Sequence, residues 1–199
     1  MGTLVDPETQ ERSLYSARED DPMELIGERI VVRSATTEDV DDIVDNVRAS
    51  IDELAPWMPW ATPDYSALDA AAWVSGDLGD VPPMVVALDG AVIGTCSINS
   101  VDERNRSANL GYWLRSDCTG HGYAVEATIL VARYGLTDGG FQRLRIGIST
   151  QNHPSRRVAE RAGATFEGTL RCSQLLVDGF HDSLLYSFVA GDLDLPSLC

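Results

Sequence analysis

Residues 117–124 constrain the fold more than any other part of the sequence, because they join a strand-like run to a helix-like run through two glycines. The apolar run at 110–114 precedes this segment, and the run at 125–134 follows it. Gly120 and Gly122 allow the chain to turn tightly there. A helix that begins directly after the turn leaves its first N–H groups unpaired, with a partial positive charge at that end. The segment therefore predicts a binding site for an anion such as a diphosphate, with an ordinary strand-to-helix turn as the alternative.

Hydrophobic periodicity and turn residues predict a mixture of helices and strands along the rest of the chain. Thr37 is expected to cap an amphipathic helix that ends before Pro56. The dipeptides Asp89-Gly90 and Asp178-Gly179 each predict the turn of a β-hairpin. The predicted strands are residues 29–33, 83–88, 91–98, 108–114, 143–150, 168–177 and 181–189, and a second short helix is predicted at 68–73. Hairpins on both sides of a central β-α-β unit imply an α+β fold with a mixed sheet.

Length and composition fit one folded domain. A chain of 199 residues, of which 44% are hydrophobic, can bury a substantial core. Residues 1–22 are polar and acidic, so we expect a flexible acidic N-terminal arm there and a single domain over 23–199. No apolar run approaches the roughly 18 residues of a membrane span, and no secretory signal is evident, which favours a cytoplasmic protein without a membrane partner. The four cysteines lack zinc-ligand spacing, so no metal site is expected.

The charge is strongly negative and unevenly distributed. The net charge of −16 argues against a nucleic-acid partner, which would need a basic surface. Residues 1–100 hold 20 acidic and 5 basic residues, whereas residues 101–199 hold 11 and 10, and every basic residue is arginine. The nearly neutral half carries the predicted anion site, and the acidic half favours a cationic acceptor. A general contribution of acidic surface to solubility is the alternative.

A second motif follows the strand predicted at 143–150. It contains Asn152, then Ser155 three residues later, and ends in a glycine, an aromatic residue and Glu167-Gly168. Together with the glycine loop, and with the segments 57–60 and 178–182, it resembles the GNAT acyltransferase superfamily. Within that superfamily the sequence is similar to the branch of the ribosomal-protein N-terminal (alanine/serine) acetyltransferases. The resemblance covers most of the chain from Gly27 to Val189.

The resemblance implies a GNAT-like fold, in which a mixed, mostly antiparallel central sheet with splayed central strands is flanked by helices. It also implies acetyl-CoA, or another acyl-CoA, as co-substrate, bound in the wedge between the splayed strands. Backbone groups of one strand would hold the pantetheine arm, the glycine loop would hold the pyrophosphate, and Arg115 or Arg156 would lie near the 3′-phosphate. The implied cofactor-binding residues are Tyr112, Trp113, Leu114, Thr119, Gly120, His121, Gly122, Tyr123, Ala124, Asn152, Ser155 and Arg156.

The resemblance also implies catalytic roles. Ser155 would protonate the departing thiolate, because Ala159 stands where relatives often have a tyrosine acid. Asn152 would contact the pantetheine region, and a backbone N–H around Leu114 would stabilise the oxyanion. The alternative for the pair at 152 and 155 is a helix cap without chemistry.

No general base is evident, because Asn109 and Gln174 occupy the positions where relatives often have a carboxylate. Proton removal through water to one of several other groups is an alternative, as is an acceptor that arrives neutral. The residues considered for that water route are Glu103, His181 and Asp182, and those expected at the acceptor site are Trp57, Trp60, Asn109 and Gln174.

Two further residues depart from the pattern. Asp117 stands where the family usually has Gln or Arg, and its carboxylate would repel a diphosphate unless it points away. Cys118 lies near a predicted helix N-terminus, which can lower a thiol pKa and would permit a role as acyl carrier, with an inert thiol as the alternative.

The expected enzyme is an N-acetyltransferase that acts on a primary amine, such as a peptide N-terminus or a small cationic amine, by direct attack in a ternary complex. The alternative is a non-catalytic acyl-CoA sensor with the same fold. A homodimer is expected from the resemblance alone.

Overall fold

The computed structural model describes residues 23–76 and 81–195, so the predicted arm at 1–22 lies outside the described residues. Eight strands form one sheet: β1 (Glu24–Ile26), β2 (Val31–Ser34), β3 (Met84–Leu88), β4 (Ala91–Asp102), β5 (Ser107–Leu114), β6 (Arg143–Ser149), β7 (Thr165–Leu176) and β8 (Gly179–Phe188). The helices are α1 (Val40–Ala49), α2 (Ile51–Leu54), α3 (Ala67–Val74), α4 (Tyr123–Leu136) and α5 (His153–Arg161). Short 3-10 turns lie at Thr37–Asp39, Ser116–Cys118 and Ala190–Leu193.

The strand order is β1-β2-β3-β4-β5-β6-β8-β7, and β5 with β6 is the parallel pair among antiparallel neighbours in the described sheet. Helix α4 packs on one face, where Val131 and Ala132 join Leu144 and Phe188 in the larger hydrophobic core. Helices α1 and α3 contribute to the smaller core, which also contains Trp113. The predicted α+β fold with a mixed, mostly antiparallel sheet is confirmed.

The two central strands separate soon after they meet. β5 and β6 pair only at Ser107–Asn109 with Arg143–Arg145, although β5 continues to Leu114 and β6 to Ser149. β4 stays paired with β5 as far as Leu114. The separation therefore opens a wedge between β5 and β6, as the predicted splay of the central strands requires.

Most predicted elements are present, with two local corrections. The predicted hairpin turn at Asp89-Gly90 is confirmed, with φ of 50° and 86° as expected for a tight turn. The second turn is Val177-Asp178 and not Asp178-Gly179, because Gly179 already pairs with Leu176 as the first residue of β8.

The predicted cap at Thr37 is also corrected, because the 3-10 turn that leads into α1 is capped one residue earlier, by Thr36. Thr36, and not Thr37, interacts with the Asp39 carboxylate, through its N–H at 2.8 Å and its hydroxyl at 3.1 Å. Arg33 holds the same carboxylate with two hydrogen bonds, which fixes Asp39 facing back towards Thr36. Strand β1 was not predicted. None of the described helices is long and apolar enough to cross a membrane.

Candidate active site

The wedge between β5 and β6 continues into a cleft of about 780 Å³. That volume lies within the range of small-molecule sites, roughly 300–1,000 Å³. The cleft is bounded by the two strands, the glycine loop, the first turns of α4 and α5, and the segment around α2. Thirteen of the residues expected at the site line it: Trp57, Asn109, Tyr112, Trp113, Leu114, Thr119, Gly120, Gly122, Tyr123, Ala124, Asn152, Ser155 and Gln174. Trp60, His121 and Arg156 are not among the lining residues.

The backbone of β5 faces the wedge beyond Asn109, where its pairing with β6 ends among the described residues. Arg115 donates its N–H to the Ile93 carbonyl at 2.8 Å, towards β4. Because backbone groups of alternate residues point to opposite edges of a strand, Tyr112 and Leu114 direct theirs towards the wedge. Trp113 directs its backbone groups towards β4 and is also among the residues that line the cleft.

The glycine loop has the conformation that its glycines make possible. Gly120 and Gly122 have φ of 82° and 87°, in the left-handed region that favours glycine. Gly122 is the N-cap of the 14-residue helix α4, so the N–H groups of the first turn point out of the helix end. These groups and the helix dipole make the loop suited to an anion.

Arg29 holds the glycine loop in place through its side chain, and the sequence did not indicate that it belongs to the site. Its side chain donates to the His121 carbonyl at 2.7 Å and to Glu126 at 3.0 Å, and it lies 5.1 Å from the Tyr123 ring centroid. The backbone N–H of Arg29 also donates to Glu126, at 2.8 Å. Although burial opposes it, these bonds hold the pKa of the Glu126 carboxyl below its usual value. The negative charge near the loop is therefore paired.

His121 is exposed, and its ring lies 5.6 Å from the Tyr123 ring. Its backbone carbonyl accepts the hydrogen bond from Arg29.

Asp117 points into solvent and is paired with Arg115, at 2.6 Å. The Arg115 guanidinium lowers the pKa of this carboxyl and also reaches Asn46, at 3.3 Å. The pairing engages Arg115, which was one candidate for the 3′-phosphate. The other candidate, Arg156, is paired with Glu160 at 2.8 Å, whereas Arg157 and Arg161 line the cleft.

Cys118 lines the cleft but is buried, and burial raises the pKa of its thiol. The helix end does not lower this pKa, since burial and the hydrogen bond with Asp117 raise it, and residues 119–121 separate the thiol from the Gly122 cap. The alternative of an inert thiol is favoured. The thiolate that an acyl carrier needs is disfavoured here.

Ser155 belongs to a small hydrogen-bonded unit at the start of α5. Its N–H donates to the Asn152 Oδ1 at 3.1 Å, so Asn152 is the N-cap of the helix, as the alternative interpretation of this pair proposed. The Tyr112 hydroxyl donates to the Ser155 carbonyl at 3.0 Å and lies 3.1 Å from the Ser155 hydroxyl. Burial raises the pKa of Tyr112, so its hydroxyl keeps its proton. The tyrosine hydroxyl at the serine was not expected from the sequence.

On the opposite side of the wedge, the two amides differ in their partners. Asn109 donates to Asn99 Oδ1 at 3.1 Å. Gln174 Oε1 is buried and accepts no hydrogen bond from the residues that the structure describes. A buried acceptor without a donor is costly, so Gln174 is suited to receive a donor from a bound molecule.

Of the three groups considered as remote bases, His181 alone connects to the cleft lining. Its Nδ1 lies 3.0 Å from the hydroxyl of Ser149, which lines the cleft. Glu103 is exposed on the turn between β4 and β5, outside the lining. Asp182 accepts the Cys172 N–H at 2.9 Å and is also outside the lining.

The entrance to the cleft is aromatic and acidic. Trp57 and Met58 line it together with Asp52 and Glu53. Trp60 instead packs on the cleft-lining residue Trp113, with ring centroids 6.1 Å apart. The described residues contain no group of three or more His, Cys, Asp and Glu that could hold a metal ion.

Comparisons with known proteins agree with this geometry. The family model described as the acetyltransferase (GNAT) domain matches residues 29–165. YdaF of Bacillus subtilis (strain 168), a candidate ribosomal N-acetyltransferase, is 27% identical over 167 residues, which cover 81% of this chain and 91% of YdaF. The ribosomal-protein-serine acetyltransferase of Escherichia coli (strain K12) is 31% identical over 96 residues, which cover 48% of this chain and 54% of that protein.

Solved structures agree in fold. RimL, a ribosomal L7/L12 alpha-N-protein acetyltransferase solved in complex with coenzyme A, superposes with a TM-score of 0.77 at 20% identity, over 84% of this chain and 98% of RimL. Since the family match covers more than half of the sequence and the sheet has the expected splay, the chain belongs to the GNAT acetyltransferase family, as an N-acetyltransferase that uses acetyl-CoA.

Proposed function

We propose that this enzyme acetylates the α-amino group at the N-terminus of a polypeptide. The observation that carries the proposal is the pair of neutral amides, Asn109 and Gln174, on the acceptor side of the wedge. An ammonium group must lose a proton before it can attack a thioester, and neither amide can take that proton. These amides therefore favour an acceptor that reaches the site with a substantial neutral fraction.

An α-amine meets this requirement better than a lysine or polyamine amine. Its pKa is about 8, against about 10.4 for a lysine side chain. At pH 7 roughly a tenth of α-amines are neutral, against less than about one in a thousand lysine amines. The names of two relatives, the E. coli ribosomal-protein-serine acetyltransferase and RimL, support the N-terminus of a ribosomal protein as the class of acceptor.

The cleft lining supports a specific pose for that acceptor. Gln174 Oε1 would accept a hydrogen from the amine nitrogen and so gain the partner that it lacks. Trp57 would cover the first side chain of the peptide, and Asp52 and Glu53 at the entrance would favour a peptide with basic residues further along.

The co-substrate would bind across the other side of the wedge. The unpaired backbone groups of Tyr112 and Leu114 would hold the pantetheine arm, and the loop from Thr119 to Ala124 would hold the pyrophosphate at the end of α4. Arg157 and Arg161 are better candidates than Arg156 for contacts with the remaining phosphate, because they line the cleft and Arg156 does not.

Transfer would then occur by direct attack. The Leu114 N–H would stabilise the oxyanion as the amine adds to the carbonyl. The Ser155 hydroxyl, kept in place by Asn152 and by the neutral Tyr112 hydroxyl, would give its proton to the coenzyme A thiolate. The raised pKa of Cys118 opposes an acyl-enzyme intermediate at that residue.

The test uses two peptides of one sequence that begins with serine and contains one internal lysine. One peptide keeps its free α-amine, and the other carries a blocked N-terminus. The proposal expects thiol release from acetyl-CoA and a gain of one acetyl group with the free peptide only. Equal or faster acetylation of the blocked peptide would overturn it. Saturable acetyl-CoA binding by calorimetry, without thiol release for either peptide or for a panel of small amines, would instead favour the acyl-CoA sensor.

A further inference from the structure

Three side chains on the acceptor side of the wedge form a continuous hydrogen-bonded chain. The Ser149 hydroxyl lies 3.0 Å from His181 Nδ1, and His181 Nε2 lies 2.8 Å from Asp178 Oδ1. Ser149 ends β6, His181 lies near the start of β8, and Asp178 belongs to the turn before it. The His181 side chain is 8% exposed, whereas the Asp178 side chain is 65% exposed. The chain thus runs from the cleft lining through the interior to solvent.

The chemistry of the three groups gives the chain a direction. The Asp178 carboxylate can only accept, so Nε2 carries the hydrogen between them. In the neutral imidazole Nδ1 then accepts, and its donor is the Ser149 hydroxyl. The Gln151 N–H donates to the same hydroxyl oxygen at 3.3 Å, so the serine proton is free to point at the imidazole. The arrangement is that of a serine polarised by a histidine and a carboxylate.

Strand register puts this chain beside the two amides of the acceptor site. Ser149 pairs with Ser183, and His181 pairs with Gln174. Residues at opposite and alternate positions share a face of a sheet, so Ser149, His181 and Gln174 lie on one face. Ser149, Gln174 and Asn109 line the same cleft. The buried imidazole of His181 is therefore connected to the cleft, beside the two amides, through the hydroxyl of Ser149.

We propose that Ser149, His181 and Asp178 form a proton relay that serves as the general base of acetyl transfer. This inference rests on the proposed function, because an ammonium group loses two protons: one to become a nucleophilic amine and one as the amide forms. An α-ammonium group loses the first proton to solvent because its pKa is low. The relay accepts the second proton.

In the proposed step the amine nitrogen forms a bond to the thioester carbon, and its proton passes to Ser149 Oγ. The Ser149 proton passes to His181 Nδ1, and the Asp178 carboxylate stabilises the imidazolium. Collapse of the adduct breaks the carbon–sulfur bond, and the thiolate leaves with the Ser155 proton. Amine and thioester become amide and thiol, and the proton on His181 returns to Ser155 through solvent.

The groups packed against the His181 ring include one charged side chain and two neutral ones. Asp178 is the charged side chain in contact with the ring among the described residues. β6 offers the neutral Ser149, and β7 offers the neutral Gln174 directly opposite. Asp182, next in the chain, holds the Cys172 N–H on the other face. A purely structural role, in which His181 fastens the hairpin to β6, predicts the same contacts but no effect on proton transfer.

The first test is independent of any acceptor. Long-range ¹⁵N–¹H NMR spectra of the free protein, with His121→Gln and His153→Gln variants to assign the three imidazoles, give the tautomer of each ring. The proposal expects His181 with a hydrogen on Nε2 and an unprotonated Nδ1 at neutral pH. A hydrogen on Nδ1, donated to Ser149, would overturn the relay whatever the enzyme acetylates.

The second test is kinetic. His181→Asn keeps an acceptor near Ser149 but cannot take a proton, so kcat should fall about 100-fold with the KM for the peptide changed less than about twofold. Ser149→Ala should cause a similar fall. Ser183→Ala, on the same face of the next strand, is the control and should retain wild-type kcat. A higher KM or a lower melting temperature of His181→Asn, with kcat unchanged, would mean that His181 has only a structural role.

The identity of the acetylated amine separates the relay from the acceptor. If the wild-type enzyme acetylates only lysine amines and His181→Asn still shows the 100-fold loss, the proposed acceptor fails and the relay stands. Equal kcat for wild type and His181→Asn with any acetylated amine overturns the relay.

Discussion

At the scale of single residues, the site depends on side chains whose partners are distant in sequence. Tyr112 meets Ser155 across 43 residues, and Arg29 meets Glu126 across 97 residues. The sequence pattern offered Asn152 as a possible helix cap because its partner is three residues away. It could not identify Tyr112 or Arg29, since nothing in local spacing indicates which residues the sheet brings together.

The Ser155 hydroxyl is expected to contribute to chemistry and not to co-substrate binding. Ser155→Ala should lower kcat about 100-fold and leave the Kd for acetyl-CoA unchanged, because the variant loses the proton donor but keeps the backbone cap. Steady-state kinetics and calorimetry measure the two effects. Asn152 provides the contrast, since Asn152→Ala should cost about 1 kcal/mol of stability through the lost cap. An unchanged kcat in Ser155→Ala would remove its assigned role.

Gly122 is expected to matter for both folding and co-substrate binding. Gly122→Ala places a side chain at φ of 87°, which costs about 1 kcal/mol, and its Cβ would lie 3.3 Å from the Arg29 guanidinium. Gly90→Ala, at φ of 86° in a hairpin with open space around it, is the matched control. Urea unfolding should show similar destabilisation of both variants, whereas calorimetry should show weaker acetyl-CoA binding for Gly122→Ala alone. Equal affinities would mean that the loop conformation tolerates the methyl group.

At the scale of secondary-structure elements, an ion pair holds the edge hairpin to the central sheet. Arg143 on β6 is paired with Glu167 on β7, and Ser187 on the intervening strand β8 donates to Glu167 at 2.7 Å. The hydrogen bonds from Arg143 and Ser187 lower the pKa of Glu167 to about 2. Three strands are therefore joined through one carboxylate.

This carboxylate gives stability a defined pH dependence. Because its pKa is lower in the folded chain, Glu167 stabilises the protein above its usual pKa of 4.5, and that contribution is lost as the pH falls towards about 2. Glu167→Gln should be less stable than wild type by about 1 kcal/mol at pH 7, a figure kept small because both side chains are partly exposed. The two unfolding curves should converge near pH 2.

Urea unfolding at several pH values measures the difference, with Glu103→Gln on an exposed turn as control. A gap between wild type and Glu167→Gln that stays constant down to pH 2 would contradict the assignment.

The elements also show where local patterns are sufficient. The hairpin turn at Asp89-Gly90 was predictable because an Asp-Gly pair favours a tight turn, although the same pair at Asp178-Gly179 placed its turn one residue too late. The separation of β5 from β6 was expected only from the family resemblance, and its position after Asn109 was not predicted. No periodicity distinguishes the paired from the unpaired part of a strand, since the separation depends on packing across the whole sheet.

At the scale of the whole molecule, the acidic surface should act on the acceptor over long range. With a net charge of −16, and with Asp52 and Glu53 at the entrance, the enzyme should attract basic peptides. Screening shortens from about 10 Å at 0.1 M salt to about 3 Å at 1 M. The KM for a serine-initiated peptide with basic residues should therefore rise severalfold over that range.

A peptide of the same length with neutral residues at those positions is the control, and its KM should change little. Parallel salt dependences for the two peptides would show that the acidic residues serve solubility instead.

The early end of the β5–β6 pairing has a consequence for the free protein. Backbone amides of Tyr112 and Leu114 face a gap in the middle of a sheet, so they should exchange with deuterium quickly and become protected when the pantetheine amides complete the ladder. An open strand edge is also a place where other chains can add. Cells depleted of acetyl-CoA would then hold this enzyme in its most aggregation-prone form.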